Sequence, residues 1–196
     1  MSTTSARALR TLALSTALLL GLGGCAATSA PAKHSTLQFR PVIATVSDPG
    51  SAPLSEEELA MLDELDCAVP EAPPATAGVE PVAACGDDGE GYLLGPTELD
   101  SVDVASATAS PMSDGTTQDW GVMVSLDADD TARLADLTAR LVAQPAGDPR
   151  NRLALVLGGR VISAPSVQAA ITGGQVLIMG RFTEESAKRL AASLGG

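Results

Sequence analysis

The chain has 196 residues, enough for one medium domain with additions, and 2% aromatic residues, so a core must rest on Leu, Val, Ile and Ala at about 25 cal/mol per Å² of buried apolar surface. Its net charge is −12, and between residues 42 and 131 it has no Lys or Arg against twenty Asp and Glu, which argues against nucleic-acid binding because that needs a basic footprint. Residues 150–196 reverse the balance, with six bases and two acids. An acidic half and a mildly basic half therefore follow one another, and solubility outside the cell explains the acidity more simply than a cation trap.

Arg7 and Arg10 precede an apolar run at 12–22, too short for the roughly 20 residues of a membrane span, which reads as an export signal. Its end, Leu22-Gly23-Gly24-Cys25, resembles the lipobox of bacterial lipoproteins, with a plain secretory signal as the alternative. The expectation is a signal peptide over 1–24, lipid on Cys25, and a flexible tether over 25–36 that holds the single histidine, His34. Cleavage there changes the net charge to −14. Localisation would be the extracytoplasmic face of the cell membrane.

The run LQFRPVIATV at 37–46 has strand composition, and Pro41 places it at a sheet edge or a strand start. Ser55 with Glu58 fits a capping box, and Leu54 with Leu59 a hydrophobic staple, opening a short helix to about Leu65. The proline-rich stretch from Cys67 to Gly91 has no periodicity. In an exported protein its two cysteines, Cys67 and Cys85, form an even pair and read as a disulfide worth about 3 kcal/mol. A metal site is the weaker reading because the only histidine lies in the tether. Short strands follow at 92–94 and 102–107, then one at 120–126 with Trp120, Val122, Val124 and Leu126 on one face.

Asp127 to Asp130 cap a helix whose apolar face is Leu134, Leu137, Leu141 and Val142, with Asp136 and Arg140 as a supporting pair one turn apart. The strands at 153–157 and 160–164 flank Gly158-Gly159, a two-residue hairpin turn that would set Leu155 opposite Ile162 and Val156 opposite Val161. A strand over 175–182 places Val176, Ile178 and Phe182 on one face. Thr183 caps a last helix that buries Ala187, Leu190, Ala191 and Leu194. Thr172, Gly173 and Gly174 read first as a turn and second as a polypeptide contact. The sum is an α+β fold with a mostly antiparallel sheet, two helices on one face and an acidic insertion over 54–91 closed by the disulfide.

No Ser-His or Cys-His arrangement is present, the Asp and Glu clusters are accounted for by helix capping, and the glycine pairs lack the lysine and helix of a phosphate loop. The expectation is a non-enzyme with no cofactor and no metal. A defined apolar pocket would favour a small ligand or cell-wall component, and an open groove a peptide.

Four blocks, LQFRPV at 37–42, YLLGPT at 92–97, GVMVSLDADDTARLADLT at 121–138 and VLGGRVISAPSVQAAITGGQVLIMGRFTEESAKRLAASL at 156–194, resemble the head subdomain of the first periplasmic domain of the export subunit SecD. The cysteine-bearing acidic insertion resembles that of actinobacterial SecD proteins. The resemblance implies a head-like domain over 37–196 that projects from the membrane and meets exported polypeptides or the Sec translocon. A lipobox stands where SecD has its first transmembrane helix and the chain ends at Gly196, so proton-driven activity is not expected.

Overall fold

The computed structural model describes residues 37–69, 75–100, 102, 104–113 and 118–195. The signal peptide, Cys25, the tether with His34, and Gly196 lie outside the described residues. The α+β class and the antiparallel pairing hold, but the strands divide between two sheets. The first has the order β2 (Val82–Cys85), β3 (Gly91–Leu94), β1 (Leu37–Thr45), β6 (Leu153–Leu157), β7 (Arg160–Ser163). The second has the order β4 (Val104–Ser113), β5 (Gln118–Leu126), β8 (Gln175–Phe182).

One large core explains the division. Leu37 and Phe39 of β1 and Leu153 and Leu155 of β6 meet Val122 and Val124 of β5 and Val176 and Ile178 of β8 in a single cluster. Two helices complete it, α2 (Ala128–Val142) with Leu134, Leu137 and Leu141, and α3 (Glu184–Ser193) with Ala187, Leu190 and Ala191. Two sheets and two helices thus share one apolar interior. The expected faces of β5, β8 and α3 are those buried. On α2, Thr138 is buried where Val142 was expected, and Val142 is exposed. Thr138 is satisfied by donating its hydroxyl to Leu134 O at 2.7 Å.

The first sheet curls until its two edges meet. Gly86, directly after β2, bridges Val161 of β7 in parallel, and Asp87 N donates to Val161 O at 2.9 Å. The inside of the curl holds a second cluster that includes Val42, Tyr92, Leu94, Val156 and Val161.

β1 is the central strand and Pro41 lies in its middle, which corrects the edge or strand-start position expected from Pro41. Gly95 N donates to Pro41 O at 2.8 Å, and the reciprocal bond to Gly95 O is the one proline cannot make. Arg40 Nε supplies it instead, at 2.7 Å, while its Nη1 and Nη2 donate to Thr76 O at 2.7 Å and Glu80 O at 2.9 Å. A fully buried guanidinium therefore repairs the ladder and binds the insertion to the sheet.

The insertion is ordered at its base. Cys67 and Cys85 form a disulfide with Cα atoms 5.4 Å apart. Helix α1 (Glu56–Asp63) has the expected capping box, with Ser55 and Glu58 exchanging bonds. The staple is absent. Leu59 is 45% exposed, and Leu54 packs instead with Leu62, Ala44 and Leu93, because a helix of two turns can turn only one narrow stripe to the sheet. Arg140 pairs with Glu98 at 2.9 Å rather than with Asp136, since a carboxylate across the domain reaches it first. The Gly158-Gly159 turn has φ of +58° and +84°, as a two-residue hairpin requires. Val156 faces Val161 as expected. A bulge then sets Leu155 opposite Ser163, so Ile162 has no partner.

Candidate functional site

β8 continues its alternation to Phe182 but loses register with β5. Gly121 faces Met179 and Trp120 faces Phe182, which leaves Gly180 and Arg181 opposite no residue of β5. A two-residue bulge of this kind preserves the inside-outside parity while pushing the backbone out of the ladder. It lies beside the free end of β7, where Ser163 Oγ donates to Met179 O at 2.9 Å.

Between the bulge, the end of β7 and the loop after β2 runs a groove of about 520 Å³. Val161, Ile162, Ala164 and Pro165 contribute apolar surface from the β7 side, and Met179 and Phe182 from β8. Met179 is 58% exposed, unusual for a large apolar side chain. Four charged groups complete the lining: Asp87, Asp88, Arg152 and Arg181.

The charges are organised around Tyr92. Its hydroxyl donates to Asp88 Oδ2 at 2.6 Å and accepts from Arg152 Nη2 at 3.4 Å, and the Arg152 guanidinium lies 5.4 Å from its ring centroid. Burial, reinforced by the hydrogen bond to Asp88 and that carboxylate's charge, pushes the Tyr92 phenol up to about 12. A phenol so held is a donor and a spacer, not a nucleophile. Arg152 Nε donates to Ala164 O at 2.7 Å, which fixes the strand end beside the groove. Asp87 pairs with Arg160 at 3.0 Å. Within this lining the serines bond to neighbouring groups of the fold: Ser163 to Met179 O, and Ser186 to Thr183 in the cap of α3. Of the hydroxyls in this lining, the one that meets a carboxylate is the Tyr92 phenol, on Asp88.

A second polar cluster joins distant segments. Asp148 accepts from Ser51 N at 3.1 Å, Ser51 Oγ at 2.5 Å, Arg150 N at 2.9 Å and Arg150 Nε at 3.0 Å. The Arg150 bonds, outweighing the cost of burial and helped by Ser51, hold its carboxyl well below the usual carboxylate range. A carboxylate so stabilised is a poor base, and the cluster is a clip between the loop before α1 and the 3₁₀ turn at Pro149–Asn151. Among the described residues no group of three or more His, Cys, Asp or Glu is arranged to hold a metal, and no helix is long and apolar enough to cross a membrane.

Of the sequence-stated residues, Cys67 and Cys85 are joined as expected. Thr172 and Gly173 are exposed, but Gly174 is buried at φ +67°, with its carbonyl accepting from Leu126 N at 2.8 Å. These three precede β8, whereas the groove is at its other end. Arg152, Arg181, Tyr92 and Met179 were not singled out by sequence. The one local signal was Gly180, a glycine inside an alternating strand, which marks a bulge.

Antiparallel sheets sharing a core with helices, with an open groove of mixed apolar and charged lining, define an α+β domain. The family described as SecDF, P1 head subdomain, matches residues 80–196. The chain belongs to that family. It is 34% identical over 119 residues to the protein translocase subunit SecD of Streptomyces coelicolor, covering 59% of this chain and 20% of that protein. It is 31% identical over 161 residues to the SecD of Rhodobacter capsulatus, covering 81% and 23%. A crystal structure of SecDF in a super-membrane-facing form is similar with a TM-score of 0.50 and 25% identity, covering 82% of this chain and 18% of that one. The chain thus spans about a fifth of the length of these relatives. Membership relates the domain to protein export.

Proposed function

We propose that the chain is a membrane-anchored extracytoplasmic lipoprotein whose head domain receives extended segments of exported polypeptides, or of the Sec translocon, in the groove between β7 and β8. The observation that carries this reading is that both strands are edges. Among the described residues β8 pairs with β5 alone, and beyond β6 the strand β7 has no ladder partner, meeting the Gly86 bridge at Val161 and, through the Ser163 side chain, Met179 O. Ladder groups left open beside apolar side chains suit strand addition, in which main-chain bonds give affinity and tolerate many sequences. The groove is preferred over Thr172, Gly173 and Gly174 as the contact, because those residues close a turn.

The anchor is assigned to Cys25 from its lipobox, with two acyl chains giving stable attachment. Mass spectrometry of the mature N-terminus is expected to find a lipidated Cys25, and an unmodified start elsewhere would remove the anchor from the account. For the groove, a photo-crosslinking side chain is introduced at Met179 of the intact chain in cells, with Thr172 as the control position. Adducts with exported polypeptides or translocon subunits are expected from position 179. Their absence would sink the proposal.

A further inference from the structure

Two cations of the groove lack the carboxylate partner that the other cations of the described residues have, Arg40 apart. Every other described Lys or Arg, apart from the buried Arg40, lies 2.6–3.0 Å from a carboxylate. Arg152 and Arg181 have no such partner, and both line the same groove. Arg152 is held on Ala164 O and the Tyr92 hydroxyl, while Arg181, exposed on the β8 bulge, touches no polar group of the described chain. The carboxylates of the groove are already engaged, Asp87 by Arg160 and Asp88 by the Tyr92 hydroxyl and Glu90 N. In a chain of net charge −12, two cations without a carboxylate partner beside apolar surface form a local exception.

We infer that Arg181, with Arg152 behind it, reads an acidic side chain carried by the extended polypeptide in the groove, with apolar neighbours of that side chain seated on Met179 and Ile162. The guanidinium fork matches a carboxylate in plane and makes charge-assisted bonds, and the apolar lining lowers the local dielectric that would weaken them. The two-residue bulge is the device that turns Arg181 out of the β5 ladder and into this position. This inference rests on the reading of the groove as a polypeptide site and adds the chemistry that site selects.

The test uses the full chain and two fluorescent peptides, Val-Leu-Glu-Leu-Val and Val-Leu-Gln-Leu-Val, both acetylated and amidated so that the glutamate is the only carboxylate. Binding is followed by anisotropy at low salt. The glutamate peptide should bind about tenfold tighter, the scale of one charge-assisted hydrogen bond. R181A should remove that preference and leave the affinity for the glutamine peptide unchanged, and R181K should keep part of it. Since Arg181 has no hydrogen-bond or ion-pair partner among the described residues, R181A is expected to fold normally, which circular dichroism checks. Equal binding of both peptides would overturn the acidic selectivity while leaving a polypeptide groove. Failure of both to bind would overturn the polypeptide reading and this inference with it. A preference that survives R181A would overturn the role of Arg181.

Discussion

Arg40 carries its charge into the curl of the first sheet with no carboxylate of the described residues within hydrogen-bonding distance, and burial lowers its pKa despite the field of Asp100. Its worth lies in the three carbonyls it satisfies, one in the sheet and two in the insertion. Arg40→Met keeps the stem and removes every donor, so equilibrium unfolding in urea should show a loss of about 3 kcal/mol, the scale of stranding buried acceptors. A change within about 0.5 kcal/mol, typical of exposed surface positions, would show that water replaces the guanidinium at no cost. None of this was visible locally. A charged residue in a strand reads as outward-facing, and the carbonyls that hold Arg40 inside lie 36, 40 and 55 residues away in sequence.

Tyr92 is the chain's single tyrosine, so its titration can be followed without overlap. Absorbance of the phenolate should rise with a midpoint near 12 rather than the ordinary value of about 10. Because the folded value is raised, the stability linked to the protonated phenol is fully present below about pH 10 and is lost as the pH rises through about 12. Asp88→Asn should lower the midpoint but leave it above 10, since burial is the larger cause. A midpoint at the ordinary value in the unsubstituted chain would mean the hydroxyl is open to water.

At the scale of elements, local periodicity was a good guide wherever one face met the shared core. α3 buries the four residues its spacing named, and β5 buries three, with Trp120 half covered beneath Lys188 at 5.8 Å. What periodicity could not reveal was pairing. The bulge at Ile162 shifts the hairpin by one residue, and the bulge at Gly180 and Arg181 shifts β8 by two without breaking its alternation. The turn before β8 gives a sharp test of structure against contact. A Cβ on Gly174 would stand 2.3 Å from Thr131 Oγ1, at a φ of +67°, whereas one on Gly173 meets nothing within 4 Å. Gly174→Ala should cost about 2 kcal/mol or more in thermal or urea unfolding, and Gly173→Ala less than about 0.5 kcal/mol. Equal costs would contradict a turn locked against α2.

For the molecule as a whole, antiparallel pairing and the three helices were legible because each rests on signals a few residues long. The partition into two sheets was not, since it depends on which strands Phe39 and Val124 meet across the core. The groove was hidden for the same reason: its two sides come from the disulfide-closed insertion at 86–88 and the distant bulge at 179–182. The resemblance to the SecD head came closer than any local signal, because it draws on all these segments at once. The central claim is that this groove receives an extended chain. Amide hydrogen exchange of the full chain, with and without a permanently unfolded secretory polypeptide, tests it most directly. Protection should rise at 160–164 and 179–182 and stay unchanged at 172–174. Protection confined to 172–174, or none anywhere, would contradict the account.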